Sequence, residues 1–202
     1  MNHSVSHRWR AAALTVVLAG VLAWPGRAVA QTATGQARAV QATTSSLFGS
    51  NTTTLADTGT LEGVGDARDA SMIVGQVGSI VGAETLDATT MAWPDQVVSS
   101  VSLTSVGVRI GTAMIAADTV ISTAQATLDA PATASALVGN LSINGVPIAV
   151  TGEPNQQVSI PGGQLVINEQ RMSPSGMTVN ALHATVAGLA DVVIASATAG
   201  IQ

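Results

Sequence analysis

The stretch "QQVSIPGGQLVINEQ", residues 156–170, decides the fold. Apolar side chains recur at every second position on both sides of Pro161-Gly162-Gly163, the period of a strand and not of a helix. Pro-Gly-Gly between two such runs is a turn signal. Downstream, "SPSG", 173–176, marks a second turn, "MTVNALHATV" continues as a strand, and "ADVVIASATA", 190–199, closes the series. Residues 156–199 therefore predict a four-strand antiparallel meander.

Upstream the texture is the same. From Gln41 onward the chain is rich in Thr, Val, Ile, Ser and Gly, with turn residues every eight to twelve positions. That pattern predicts an all-β domain of short strands, sandwich-like or a layered antiparallel sheet of hairpins. The alanine-rich stretches lack the 3.6-residue stripe of a helix.

A near-repeat refines the prediction. "VSLTSVGVRI", 101–110, aligns with "LSINGVPIAV", 141–150, in five apolar columns. In both, alternation runs for three positions, skips, and resumes. Asn144-Gly145 in the second copy is the signal of a type I′ hairpin turn. Thr104-Ser105 holds that place in the first, where a turn and a bulge are equally open. Pro147 cannot donate to a ladder, which puts its strand at an edge or beside a bulge. A weaker echo links "LDATTM", 86–91, with "IAADTV", 115–120, and makes "DAPATASALVG", 129–139, an Ala/Pro-rich loop in a duplicated meander. Stacked solenoid rungs are the alternative, and two copies are few for one.

The first thirty residues read as a signal peptide. Arg8 and Arg10 form a basic head, an apolar run follows from Ala11 to Trp24, and Ala28-Val29-Ala30 offers small residues to signal peptidase. Cleavage is expected before Gln31. The run is 14 residues long, short of the roughly 20 needed to cross a bilayer, so no membrane span is expected after cleavage. Residues 31–41, small and polar, read as a flexible lead-in, and 42–202 as a single β-rich domain. The expected localisation is secreted, or periplasmic in a host with an outer membrane.

Composition narrows the chemistry. Beyond residue 30, Arg38, Arg68, Arg109 and Arg171 stand against twelve carboxylates, a net charge of −8. No lysine occurs, so the chain has no electrostatic footprint for nucleic acid or an anionic lipid surface. The absence of cysteine removes thiol nucleophiles and thiolate metal ligands. Trp93 and Phe48 are the only aromatic side chains of the mature chain, too few for a carbohydrate platform.

Few residues invite a catalytic reading. Glu169, Asn180 and His183 fall within "INEQRMSPSGMTVNALHATV", 167–186, and His183 is the only histidine outside the signal segment. By simple alternation Leu165 and Ile167 share a face with Glu169 and Arg171, so the charged pair is expected exposed at a strand end. His183, beside Thr185 on a polar face, is expected as a solvated surface histidine. "GDARDAS", 65–71, places Asp66 and Asp69 in a glycine-flanked loop, where calcium would need further oxygen ligands. Asp57 in "LADTGTL", 55–61, reads as a turn. Asn51 and Asn140 head glycosylation sequons, relevant only in a host that uses them.

"VQATTSSLFG", "NLSINGVPIAVTGEPNQQVSIPGGQLVINEQ" and "MTVNALHATVAGLADVVIASATAGI" resemble bacterial choice-of-anchor P proteins over residues 39–201. The resemblance implies an exported, β-rich surface domain and transfers no catalytic residue. This chain carries no sorting motif or hydrophobic tail after the domain, so free secretion or periplasmic retention is expected. The reading is a non-enzymatic structural or interaction module with no catalytic, cofactor or metal residue. Its expected partners are other cell-surface proteins, or itself, through an exposed strand edge. A secreted hydrolase using Glu169 or Asp66/Asp69 with His183, or a calcium-stabilised domain, is the alternative.

Overall fold

The alternation written into 156–199 becomes four consecutive antiparallel strands. These are β10 (Gln156–Ile160), β11 (Gly163–Ser173), β12 (Gly176–Val186) and β13 (Ala190–Ile201). The computed structural model describes residues 31–46 and 49–202; the expected signal segment lies outside the described residues. The meander continues onto β1 (Ala33–Ser46) and β2 (Gly49–Asp57), giving a six-stranded sheet in the order β10-β11-β12-β13-β1-β2.

The second sheet has seven strands. β3 (Ala67–Val77), β4 (Val81–Ala92), β5 (Gln96–Ile110) and β6 (Ala113–Thr127) form successive hairpins. β7 (Thr133–Gly139) and the short pair β8 (Ser142–Ile143) and β9 (Val146–Pro147) follow. Every pairing is antiparallel. The two sheets pack face to face as a sandwich, and no helix occurs among the described residues.

The core matches small residues with large ones. The six-stranded sheet contributes many alanines, including Ala37, Ala39, Ala181, Ala195 and Ala197, beside Leu165, Ile167, Leu182 and Ile194. The seven-stranded sheet answers with Val97, Val101, Leu103, Ile115 and Val120. Such packing lets sheets approach closely without aromatic filler. Gly35 is one such contact, because a Cβ there would lie 2.5 Å from Leu61 Cδ1 and Thr90 Oγ1. A buried polar link also ties the layers, with Ser99 Oγ 2.7 Å from Thr90 Oγ1 and donating to the Thr198 carbonyl at 2.6 Å.

Several expectations require correction. Residues 33–41 are not a flexible lead-in but the first part of β1, paired with β13 from Ala33 on and with β2 from Arg38 on. Its inward positions are Ala33, Gly35, Ala37 and Ala39, too small to register as an apolar period. The compact unit accordingly begins at Gln31 rather than 42. Much of the "DAPATASALVG" loop is strand β7, paired with β6. The near-repeat is not a duplicated meander, for 101–110 lies within one strand, β5. Residues 141–150 form the β8–β9 hairpin and its exit. Asn144-Gly145 makes the turn there, with φ of 51° and 78°, and Pro147 lies at the sheet edge as expected.

The strands reach 15 residues, longer than expected, because turn-like residues sit inside them. A transverse row of the six-stranded sheet carries Ala56, Ala195 and Asn168 with φ of 44°, 53° and 51°. Ala39 and Ala181 lie in the same row on the strands between. At this row two neighbouring residues face inward, as in Ala39-Val40, Ala181-Leu182 and Ala195-Ile194. The inward and outward phases therefore swap together on five of the sheet's six strands, β11, β12, β13, β1 and β2. The seven-stranded sheet does the converse around Thr85 and Ser105, with φ of 47° and 51°, leaving Ile73-Val74 and Glu84-Thr85 exposed side by side.

Candidate functional site

The phase swap assembles a polar cluster on the outer face of the six-stranded sheet. Ile167 points into the core, Asn168 stays inward with it, and Glu169 turns outward one position later than a regular strand allows. Glu169 pairs in register with Asn180, and Val166 with His183. The outward row of Glu169 thus lies next to the outward row of His183, with only inward residues between them.

Glu169 is buried although it is outward-facing, with 9 % of its side chain exposed. Its Oε2 lies 2.8 Å from His183 Nδ1 and accepts from Asn180 Nδ2 at 2.7 Å. Its Oε1 accepts from Arg171 Nε at 3.1 Å and from the Arg171 terminal nitrogen. Burial pushes the Glu169 carboxyl up, and the Asn180, Arg171 and His183 contacts outweigh it, holding the group below its ordinary 4.5. His183 Nε2 lies 3.2 Å from Asp191 Oδ2 and 3.4 Å from Thr185 Oγ1.

His183 is therefore not a solvated surface histidine; 15 % of its side chain is exposed. Nor are Glu169 and Arg171 an exposed pair, for only the arginine reaches water. Regular alternation misplaces Glu169 because it ignores the left-handed Asn168. His183 does face outward as alternation requires, and its burial comes from Glu169 and Asp191 beside it. Asp191 is a further member that the sequence reading missed. The signal was present: a short turn at 187–189 places Asp191 opposite Thr185.

The geometry ties β11, β12 and β13 together. A neutral imidazole donates to one of its two carboxylate neighbours, and the imidazolium donates to both. The two carboxylates contact opposite nitrogens of the ring, so they do not converge on a common ion. Among the described residues no group of three His, Asp or Glu side chains could hold a metal. Thr185 stands on the same strand as His183, on a sheet face whose β12 residues are committed to ladder pairs.

The remaining candidates separate. Asp57 ends β2 and accepts from Arg38 Nε at 2.8 Å, Gln36 Nε2 at 2.9 Å and the Gly59 amide at 3.0 Å, the turn expected of it. Burial raises its carboxyl and these donors overcome that rise, leaving it lowered. Asp66 accepts from the Glu62 amide at 2.8 Å and from Arg68 Nε at 2.9 Å, while Asp69 lies exposed on β3 opposite Thr89. Asp66 is thus already paired with Arg68 at the start of β3. Asn51 is exposed on β2, and Asn140 Nδ2 donates to Asp118 Oδ2 at 2.7 Å.

Compared with known proteins, the chain matches no family model, no curated protein and no solved structure.

Proposed function

We propose that the chain is a non-enzymatic, exported interaction module that pairs with a partner strand along β3. The carrying observation is the contrast between the sandwich's two sides. On one side the sheets end in short strands, with β9 reduced to Val146-Pro147 and β10 to five residues. Gln170 Nε2 donates to the Ala134 carbonyl across the layers there, and Asn168 Nδ2 to that of Gly152. Short strands, proline and covering segments are how sheet edges are kept from pairing.

On the other side β3 runs 11 residues with one backbone edge unpaired. At its middle Ile73 is 86 % exposed and Val74 64 %. An extended segment added there would satisfy ladder donors and acceptors while covering both side chains. The signal-peptide pattern of residues 1–30 and the resemblance to choice-of-anchor P proteins support an exported surface role. The saturated contacts of Glu169 and His183 support a structural rather than a hydrolytic use of that cluster.

Fractionation of producing cells, followed by sizing of each fraction, tests the proposal. Assemblies, or attachment to surface material, should be present and should be lost when Ile73 and Val74 are both changed to lysine. A monomer in every fraction, binding nothing and indifferent to those substitutions, would refute it.

A further inference from the structure

The outer face of the seven-stranded sheet carries a groove of about 440 Å³ across β3, β4, β5 and β6. Its volume falls within the range of small-ligand sites, about 300–1,000 Å³. Four strands set about 4.8 Å apart give it a length of roughly 14 Å. Val74 and Met114 stand on its flanks, and its floor is the cross-strand row Gly82, Gly107 and Ala116.

Neither floor glycine is required by the fold. Both have ordinary negative φ. A Cβ on Gly82 would meet nothing within 4 Å, and one on Gly107 only the Gly82 carbonyl at 3.9 Å. Glycine inside a strand costs about 0.5–1 kcal/mol relative to alanine. Here that cost keeps a groove open.

The charge in the groove is distinctive. Arg38, Arg68 and Arg171 each hold a carboxylate. Arg109 lines the groove, and among the described residues its guanidinium has no partner. An unpaired cation in so acidic a chain calls for an anionic group on whatever occupies the site. Glu84, on the groove's other flank, repels that group and so directs it to the Arg109 side.

The occupant's body follows from what the floor lacks. No aromatic ring lines the groove, so a sugar has no stacking face. The floor residues are engaged in ladders with their neighbours. A polypeptide crossing the strands would find no free backbone groups on this floor to pair with. A hydrocarbon chain has no such groups. The geometry points to a single-chain anionic amphiphile, an acyl carboxylate, lying along Gly82–Gly107–Ala116 with its head group on Arg109. This is recognition of one molecule, distinct from adsorption to an anionic membrane.

Calorimetric titration of the purified chain with dodecanoate, below its micellar concentration, tests the site. Dodecanol and dodecyltrimethylammonium serve as neutral and cationic controls. Dodecanoate should bind at one per chain. Arg109→Gln should weaken it about ten- to a hundredfold while leaving dodecanol unchanged. Gly107→Leu should abolish binding of both; Gly82→Leu is the substitute if that variant fails to fold, as judged by circular dichroism. No binding of dodecanoate, equal binding of the cationic control, or binding that survives a filled groove would each overturn the assignment.

Discussion

Glu169 and His183 are joined at 2.8 Å although the ladder pairs neither with the other. The contact exists because the sheet reverses its inward and outward phases between them. A regular strand would interpose an outward residue and separate the two groups. The cluster is thus a consequence of the bulged row, and its energetics should report on that row.

Glu169→Gln removes the charge that Arg171, Asn180 and His183 surround. Breaking hydrogen bonds to a buried charged group costs about 1–3 kcal/mol. Because the Glu169 carboxyl is lowered in the folded state, its stabilisation is present above the unfolded value and lost as pH falls through the folded one. Urea unfolding at pH 7, 5 and 3 should show the variant weaker at pH 7, with the difference shrinking below pH 4.5.

Asn168 has a conformational and a bonding role, which two substitutions separate. Its φ of 51° costs a residue with a Cβ about 1–2 kcal/mol, and its amide bonds the Gly152 carbonyl at 2.9 Å and Gln170 at 3.0 Å. Asn168→Gly keeps the backbone and loses the bonds; Asn168→Ala loses both. Thermal unfolding should rank them wild type, then glycine, then alanine.

Thr85 is a β-branched residue at φ 47° with an exposed side chain. Branching at Cβ makes that conformation a genuine outlier, whereas asparagine tolerates it. Thr85→Asn should stabilise the fold by about 1 kcal/mol. For a domain of this size that is about 2–4 °C in Tm, readable by calorimetry.

Ser99 is fully buried and bonds across the layers to the Thr198 carbonyl. Ser99→Ala leaves that carbonyl and Thr90 Oγ1 without this partner, at a cost of about 1–3 kcal/mol. Ser100→Ala, one position along and half-buried with bonds of 3.4 Å, is the control and should change unfolding by less than about 0.5 kcal/mol.

Much of this was legible in the residues. The alternation in 156–199 specified four strands, Pro161-Gly162 and Pro174-Ser175 specified their turns, and Asn144-Gly145 and Pro147 specified a hairpin at an edge. These are local signals: a two-residue period and the φ preferences of Pro, Gly and Asn act within a few positions. The skip at Thr104-Ser105 was also visible, though not whether it meant a turn or a bulge.

What the chain alone did not disclose depends on neighbours distant in sequence. β1 looked like a tail because its inward residues are alanine and glycine, and it is Leu61, Thr90 and Val97, distant in sequence, that close on Gly35 and leave no room for a Cβ there. The left-handed Ala56 and Ala195 carry no local signature, since alanine does not favour that conformation. They are held there because all five strands of the row must change phase together. That collective step, rather than any motif, brings Glu169, Asn180, His183 and Asp191 into contact. Sequence by itself determined the strands and their turns; the tertiary structure decided which side chains meet, because register and phase are properties of the whole sheet.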